Sequence, residues 1–432
     1  MNKFIKSFNY IIFFYLLLTF FLVRTAAGIY ILNFRLGEYY VSFGVLLSLI
    51  LIPWVFKNRD KNEFFDSTIN ILLIIYSTFI VNLFVYFEGN YTTYIFKSSS
   101  YLWFIVFLYI GLTVKKDINL ITIFYNIGIF GIYIIYLVKV SGFFIDGDEN
   151  NFIDNYFLSI SDKFELHKGS DLLILYIIIM MLNNYIFTKK YKKEYFIFTS
   201  AVFLPLLLYS SRAAFIAGCI FFTLEVLNNK EIYLLKQKKL IYATLFLALF
   251  AVSSSVVQSR DIQPDGAFES IRELAESRNT IDSEKGNGNL FWVSSNRLYS
   301  SDGNLNWRLQ IWQDTISDLI TDQKLFLGNG YYKMIPSMQL DNRQGMDGLN
   351  ENVHNFLINT LARGGLLQLV LIVLIYLKLI QQFYKKNNNF RILLYLIPCM
   401  FVSFFDSSME NAHFPLFFYY FFGYFLRNLK TK

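Results

Sequence analysis

Three side chains between residues 212 and 354 of this 432-residue sequence are of types suited to phosphate binding and proton transfer. Arg212 follows Ser211 in a short junction between two apolar runs, and Arg308 stands in a long polar segment. Arginine presents a planar fork of donors that matches phosphate oxygens. His354 precedes Asn355 at the start of the next apolar run, and an imidazole readily exchanges a proton near neutral pH. The three residues predict a reaction on an anionic substrate.

His354 has two interpretations. A helix that begins here places the positive end of its dipole beside the imidazole, which favours the neutral form and allows it to accept a proton. Alternatively, His354 only marks the helix entry, with Asn352 or Asn355 as the cap. The other two histidines, His167 and His413, are predicted to be solvated surface residues.

The arginines also leave alternatives open. A permanent cation at a helix N-terminus and at a membrane interface calls for an anionic partner. Arg212 could instead extend toward lipid headgroups. Arg308, next to Trp307, completes a second fork or is an ordinary residue on the polar face of a helix.

Composition shows what kind of protein must position these groups. The chain is 55% hydrophobic and only 16% charged, with a mean hydropathy of +0.41, which predicts an all-α polytopic membrane protein. The net charge of +7 comes from short basic loops and does not indicate nucleic-acid binding. Cys219 and Cys399 fall in apolar runs, so they predict neither a disulfide framework nor a metal site.

Apolar runs of about 20 residues each predict transmembrane helices. We count twelve, over 9–32, 39–56, 67–87, 94–114, 118–141, 170–188, 195–209, 212–228, 239–257, 353–380, 391–410 and 413–427. Basic clusters recur in every second loop, which places both termini in the cytoplasm.

The alternate loops then face the periplasm, and two of them are long. The first, Gly142 to Gly169, is acidic. The second predicts a folded cap over 258–352, between a bundle over 1–257 and the last helices over 353–432. Within it, Asp265 caps a predicted helix over 266–277, residues 285–290 read as an exposed turn, and a second helix is amphipathic. The apolar stripe of that second helix is Trp307, Ile311, Trp312, Ile316, Leu319 and Ile320.

Ionisable residues within the apolar runs are read mainly as architecture, because buried charge is usually paired. They are Arg24, Lys139, Glu225, Arg363, Asp406 and Glu410. Arg363 is expected to pair with Asp406 or Glu410.

The order of several short motifs resembles the O-antigen ligase and O-antigen polymerase superfamily, over roughly residues 195 to 380. The motifs are Ser211-Arg212-Ala213-Ala214 between two helices, Arg308 followed by Trp312, Leu327-Gly328-Asn329-Gly330, and His354-Asn355 followed by Gly365. The ligase pattern continues with a small or hydroxylated residue, where this chain has Gln368.

The resemblance implies a membrane glycosyltransferase of the GT-C kind that acts at the periplasmic side of the bacterial inner membrane. Its substrate would be undecaprenyl-diphosphate-linked oligosaccharide, and a chain-length regulator protein is an expected partner. Arg212 and Arg308 would bind the diphosphate and His354 would activate the attacking hydroxyl. Ser211, Trp312 and Asn355 would support them. Two arginines can stabilise the leaving group, so neither a metal nor a cofactor is expected, and direct displacement would invert the anomeric carbon.

Within this superfamily we expect a polymerase, which joins the lipid-linked repeat units into O-antigen or a related surface polysaccharide. Two other functions compete with this expectation. A ligase would transfer the glycan to lipid A core, and Gln368 together with the two long loops favours the polymerase. A secondary transporter also suits twelve helices. It usually has its long loop inside, between spans six and seven, whereas here the long loop lies between spans nine and ten.

Overall fold

The computed structural model describes residues 10–19, 27–32, 34–57, 63–87, 89, 94–114, 117–141, 167–186, 192–228, 239–258, 290–340, 343, 351–411 and 413–428. Several predictions lie outside these residues. They are Arg24, most of the acidic loop, the helix over 266–277 and the turn over 285–290 except for its last residue.

Most of the described residues are helical. In chain order the helices are α1 (Tyr10–Thr19), α2 (Leu36–Lys57), α3 (Glu63–Val85), α4 (Tyr94–Trp103), α5 (Val106–Thr113), α6 (Ile118–Ser141), α7 (Gly169–Ile186), α8 (Lys192–Ser210), α9 (Arg212–Asn228), α10 (Lys239–Gln258), α11 (Gly303–Thr321), α12 (Phe356–Asn387), α13 (Leu393–Ser403) and α14 (His413–Asn428). Two antiparallel hairpins accompany them, β1 (Tyr30–Ile31) with β2 (Phe34–Arg35), and β3 (Phe291–Ser294) with β4 (Arg297–Ser300).

Three helical segments within the described residues are long and apolar enough to cross a membrane, namely Leu36–Lys57, Thr68–Val85 and Phe356–Asn387. Helices α4 and α5 meet at a bend of 42° and form a fourth span if they are taken together. The all-helical membrane class is therefore supported, while the full count of twelve spans stays a prediction.

Helix pairs from distant parts of the sequence form the core. Helix α3 packs on α12, α9 packs on α13, and α5 packs on α14. The last pair approaches closely because glycines face each other. A Cβ on Gly423 would lie 1.9 Å from the Leu108 carbonyl oxygen, and one on Gly111 would lie 2.2 Å from that of Tyr420. Small residues allow such close backbone contact between membrane helices.

The described part of the predicted cap, residues 290–340, is built around α11. The β3–β4 hairpin packs on this helix, and the Asp302 carboxylate caps it by accepting a hydrogen bond from the Leu305 amide at 2.7 Å. Ile311 and Leu319 are fully buried. The Ile311 side chain belongs to an apolar cluster that includes residues near the start of α12. The amphipathic prediction is thus right for the bundle-facing residues, whereas Ile316 and Ile320 are exposed.

Helix α13 ends at Ser403, before the end predicted for that span at residue 410. Phe404 makes no further helical turn, and the chain continues as turns and bends through Asn411. Asp406 and Glu410 consequently lie in the loop between α13 and α14, outside the helices.

Candidate active site

The short junction between α8 and α9 positions Arg212 at the start of α9. Ser211 supports the junction, because its hydroxyl oxygen accepts a long hydrogen bond of 3.4 Å from the Ala214 amide in the first turn of α9. The start of α7 packs closely against it, since a Cβ on Gly169 would lie 2.6 Å from that of Ser211. Ser211 therefore shapes the backbone that carries Arg212.

Arg212 forms an ion pair with Asp302. Asp302 is the N-cap residue of α11, so one carboxylate both caps the cap helix and contacts the first residue of α9. The pair brings α11, with Arg308 in its second turn, over the N-terminus of α9.

Arg308 lies among charged groups from three parts of the chain. Burial lowers the pKa of its guanidinium, the Arg212 charge lowers it further, and the Asp406 and Asp302 carboxylates oppose these effects. Its Nε atom is buried and has no hydrogen-bond partner within the described residues. A buried donor of this kind favours an anionic ligand that accepts from it.

The backbone at His354 is unusual and is held from two sides. His354 has a φ of +54°, a left-handed conformation that non-glycine residues rarely adopt. On one side, the Trp312 indole donates to the Val353 carbonyl at 2.7 Å. On the other, the Asn355 side chain accepts from the amides of Leu357 and Ile358, at 3.1 Å each. Trp312 and Asn355 thus support His354 through its backbone.

The imidazole of His354 packs against the edge of the Trp307 ring, with 5.4 Å between ring centroids. Burial lowers the pKa of His354 to about 4, the positive charge of Arg308 adds to this effect, and the Asp406 carboxylate opposes it. The neutral imidazole expected from the sequence agrees with this direction. Burial and Arg308 cause it here, whereas the sequence argument invoked the helix dipole.

Asp406 is the functional candidate that sequence reasoning read only as architecture. Burial acts to raise the pKa of its carboxyl, but the Lys168 ammonium and the His354 imidazole hold it below the usual range. Asp406 and Asp302 both influence Arg308, so two carboxylates, an imidazole and two guanidinium groups form one cluster. The only signal in the sequence was an acidic residue near the end of an apolar run.

The expected ion pair between Arg363 and Asp406 or Glu410 is wrong for the described residues. Arg363 is buried, at 1% exposure. Its guanidinium donates to the Lys333 carbonyl, to the Gly330 carbonyl at 3.5 Å and to the Tyr94 hydroxyl at 2.6 Å. Backbone carbonyls and a phenol thus accept from the two terminal nitrogens of Arg363, which secures the loop after α11.

The Leu327-Gly328-Asn329-Gly330 motif is inserted into a break in α12. Gly365 interrupts the helix with a φ of +70°. The amides of Asn329 and Gly330 then donate to the Ala362 and Arg363 carbonyls, at 2.7 and 3.0 Å. A Cβ on Gly365 would lie 2.0 Å from the Phe326 carbonyl oxygen, so glycine is required there. Two motifs distant in sequence thus form one structural unit after His354.

His167 and His413 are buried, at 4% and 5% exposure, so the prediction that both are solvated is wrong. His413, the first residue of α14, contacts the Asp171 carboxylate through Nε2 at 2.5 Å. This contact ties α14 to the first turn of α7. A carboxylate from another helix offsets the cost of burying the imidazole.

Gln368 lies below the break in α12 and contacts no residue of the arginine and histidine cluster among its described hydrogen bonds. Its side-chain oxygen accepts from the hydroxyls of Tyr101, at 3.1 Å, and Tyr331. Its amide donates to Thr78 at 3.3 Å. The difference from the ligase pattern at Gln368 therefore affects the packing of α3, α4 and α12.

The part of the chain that the structure describes contains no group of three or more His, Cys, Asp or Glu side chains that could hold a metal ion. The cluster described above supplies cationic donors, two carboxylates and one imidazole. This set suits an anionic substrate and a proton transfer.

The family model described as O-antigen ligase matches residues 195–373, a segment that includes Arg212, Arg308 and His354. A search of curated proteins found no match. The matched segment contains all the motifs that resembled the superfamily. Residues 195–373 are therefore similar to the O-antigen ligase family, and this match supports the resemblance to the O-antigen ligase and polymerase superfamily.

Proposed function

We propose that this protein transfers an oligosaccharide from undecaprenyl diphosphate to a sugar hydroxyl, at the periplasmic side of the bacterial inner membrane, with both termini in the cytoplasm. One observation carries the proposal. The buried His354 imidazole interacts electrostatically with both the Arg308 guanidinium and the Asp406 carboxylate. This arrangement places a proton acceptor beside a binding site for anions.

Arg212 and Arg308 bind the diphosphate of the donor. Their positive charges repel each other, which favours the binding of an anion that contacts both. As the bond between the anomeric carbon and the diphosphate oxygen breaks, negative charge grows on that oxygen. Preorganised donors stabilise such charge most effectively where water is excluded.

His354 accepts the proton of the acceptor hydroxyl while that oxygen attacks the anomeric carbon. A new glycosidic bond forms, the diphosphate leaves with the electron pair of the broken bond, and the configuration inverts. The Asp406 carboxylate stabilises the imidazolium that results, because its charge favours protonated His354. General-base catalysis of this kind contributes about 10²- to 10⁴-fold to rate.

Donor binding also strengthens the base. Burial and the Arg308 charge hold the pKa of His354 near 4, where the imidazole is neutral but weakly basic. A diphosphate bound to Arg308 offsets that positive charge and raises the pKa of His354. The base thus reaches its full strength only when the donor is in place.

We propose polymerisation as the reaction, in which a growing chain moves from its carrier onto a new carrier-linked repeat unit. The support for it is the two long loops, which suit two lipid-linked substrates above one bundle. Gln368 no longer adds to this argument, because its described hydrogen bonds are to core residues. Ligation to lipid A core is the second candidate, which the description of the matching family model favours.

A transfer assay with the purified full-length protein and lipid-linked oligosaccharide from the native host tests the proposed chemistry. His354→Ala should lower the transfer rate by about 100-fold or more, because the base is lost. Asp322→Asn is the matched control, since Asp322 is exposed and pairs only with exposed Lys324 among the described residues. Full activity of His354→Ala would refute the role of the imidazole.

Deletion of the gene separates the two reactions. If the protein is the polymerase, single repeat units should remain attached to lipid A core, because a ligase elsewhere still transfers them. Long polymer left on the carrier, with bare core at the cell surface, would identify this protein as the ligase.

A further inference from the structure

The loop between α13 and α14 buries polar groups that have no hydrogen-bond partner. The hydroxyls of Ser407 and Ser408 and both carboxyl oxygens of Glu410 are buried, and none has a partner among the described residues. Ser408 is fully buried and Glu410 is 6% exposed. Four such atoms within four consecutive residues form a concentrated polar surface.

Buried polar atoms without partners are rare in folded proteins, because each loses its hydrogen bonds to water on burial. They persist where a ligand or ordered water completes them. The Glu410 backbone carbonyl, by contrast, accepts from the Ser100 hydroxyl at 3.5 Å. The backbone of the loop is thus anchored to α4, and the side chains remain available to an occupant.

This polar surface adjoins the catalytic cluster through Asp406 and Glu410. Asp406 begins the loop and interacts with His354. Glu410 interacts with Asp406, and its carboxyl also interacts with the Tyr101 hydroxyl. His354 therefore interacts with the Arg308 guanidinium and with a carboxylate of the loop that also carries the unpartnered hydroxyl and carboxyl groups.

The chemistry of these groups selects the occupant. The loop supplies no positive charge, whereas the arginines do, so the diphosphate belongs with the arginines. Burial raises the pKa of Glu410 well above its usual range, and the Asp406 charge adds to this effect. A neutral carboxyl both donates and accepts hydrogen bonds, as serine hydroxyls do. Sugar hydroxyls require this combination.

We propose that residues 406–410 form the acceptor subsite, which binds hydroxyl groups of an uncharged sugar and presents one of them to His354. The inference rests on the proposed transfer reaction and adds a location for the second substrate. Glu410 and Ser408 bind the sugar, and Asp406 remains the residue that stabilises the protonated imidazole.

Ligand-induced shifts of the thermal unfolding midpoint test the subsite in the purified full-length protein. One probe is the free oligosaccharide released by mild acid from the host's lipid-linked repeat unit, and the other is undecaprenyl diphosphate without sugar. Glu410→Met should weaken binding of the oligosaccharide by about tenfold or more, because hydrogen bonds are lost at similar side-chain volume. The affinity for undecaprenyl diphosphate should not change. Arg212→Ala should give the reverse pattern.

Two further variants separate binding from folding. Glu410→Gln should weaken oligosaccharide binding less than Glu410→Met, because an amide still donates and accepts. Ser408→Ala should weaken it with little change in side-chain volume. The unliganded Glu410→Met protein should unfold at the same or a higher temperature than wild type, because the variant removes unsatisfied polar atoms from a buried position.

Several results would overturn the subsite. They are the absence of a wild-type shift with free oligosaccharide, equal losses for both probes in Glu410→Met, and a lower unfolding temperature of that variant without ligand. Failure of the proposed function has a different signature. In that case the wild-type protein neither transfers glycan nor responds to undecaprenyl diphosphate, whatever Glu410 does.

Discussion

Arg212 and Asp302 form an ion pair between the first residue of α9 and the N-cap residue of α11. The Asp302 carboxylate thus occupies part of the guanidinium that we propose for the diphosphate. The two side chains are 27% and 12% exposed, so the contact is largely shielded from solvent. A diphosphate that binds Arg212 must share the guanidinium with Asp302 or displace it.

Asp302→Asn tests this competition. Asparagine caps a helix about as well as aspartate, so α11 should remain folded while the competing charge is removed. We expect undecaprenyl diphosphate to bind about fivefold more tightly, the equivalent of about 1 kcal/mol for a partly exposed ion pair. The measurement is the dissociation constant of undecaprenyl diphosphate for the purified protein.

Asp322→Asn at the other end of α11 is the control, and it should leave that constant unchanged. Weaker binding in Asp302→Asn would instead show that Asp302 orients Arg212 for the ligand. The proposed competition between Asp302 and the diphosphate would then be wrong, although the ion pair itself would contribute to ligand binding.

Arg212→Lys should fail nearly as severely as Arg212→Ala, because a point charge cannot reproduce a bidentate contact with phosphate. We expect kcat/KM to fall by about 100-fold or more, as for other losses of a donor to a developing anion. Arg308→Lys should be milder, since the charge beside His354 is kept. Arg297→Lys is the matched control, because Arg297 pairs with Asp314 on α11. A near-normal kcat/KM for Arg212→Lys would contradict the bidentate model.

The sequence alone named Arg212 and His354 as candidates because each stands at a junction between polar and apolar segments, and Arg308 because it lies beside Trp307 on a predicted amphipathic helix. The same reasoning did not identify Asp406 as a functional candidate. Its significance depends on its proximity to His354, and no local pattern reveals which of several acidic residues near helix ends will meet a given imidazole. Glu410 was likewise read as architecture.

The wrong partners predicted for Arg363 have a physical cause. Arg363 was expected to need a carboxylate, whereas the loop inserted at the break in α12 supplies carbonyls from Gly330 and Lys333. That insertion depends on positive φ angles, and the glycines in the sequence are the only indication of them.

The sequence analysis did not predict the β3–β4 hairpin, for a related reason. Its strands are short, and its turn uses positive φ at Ser295 and Asn296, of which only asparagine is a recognised signal.

Gly365→Ala tests the inserted loop. An alanine there would need an unfavourable φ and would place its Cβ against the Phe326 carbonyl. We expect a loss of stability of about 3 kcal/mol or more, seen as a lower unfolding temperature in detergent. Gly303→Ala is the matched control, since a Cβ there meets nothing within 4 Å, and it should be neutral or slightly stabilising. Equal unfolding temperatures for the two variants would show that the loop can leave the break.

The pH dependence of transfer tests the charges around His354. The acid limb of kcat/KM reports the free enzyme, so wild type should lose activity with a midpoint near pH 4, the pKa that burial and Arg308 give to His354. Arg308→Gln removes a positive neighbour, which raises this pKa and moves the limb to higher pH. Asp406→Asn removes the carboxylate that favours the imidazolium, which lowers the pKa and moves the limb to lower pH.

Both variants should also be slower, so the informative quantity is the midpoint of the limb and not the maximal rate. Asp322→Asn should leave the midpoint unchanged, since Asp322 lies at the far end of α11 from this cluster. The kcat profile adds a second comparison, because it reports the complex with bound donor. Its midpoint should lie above that of kcat/KM if the diphosphate offsets Arg308. Shifts of the two charge variants in the same direction would mean that the observed group is not His354.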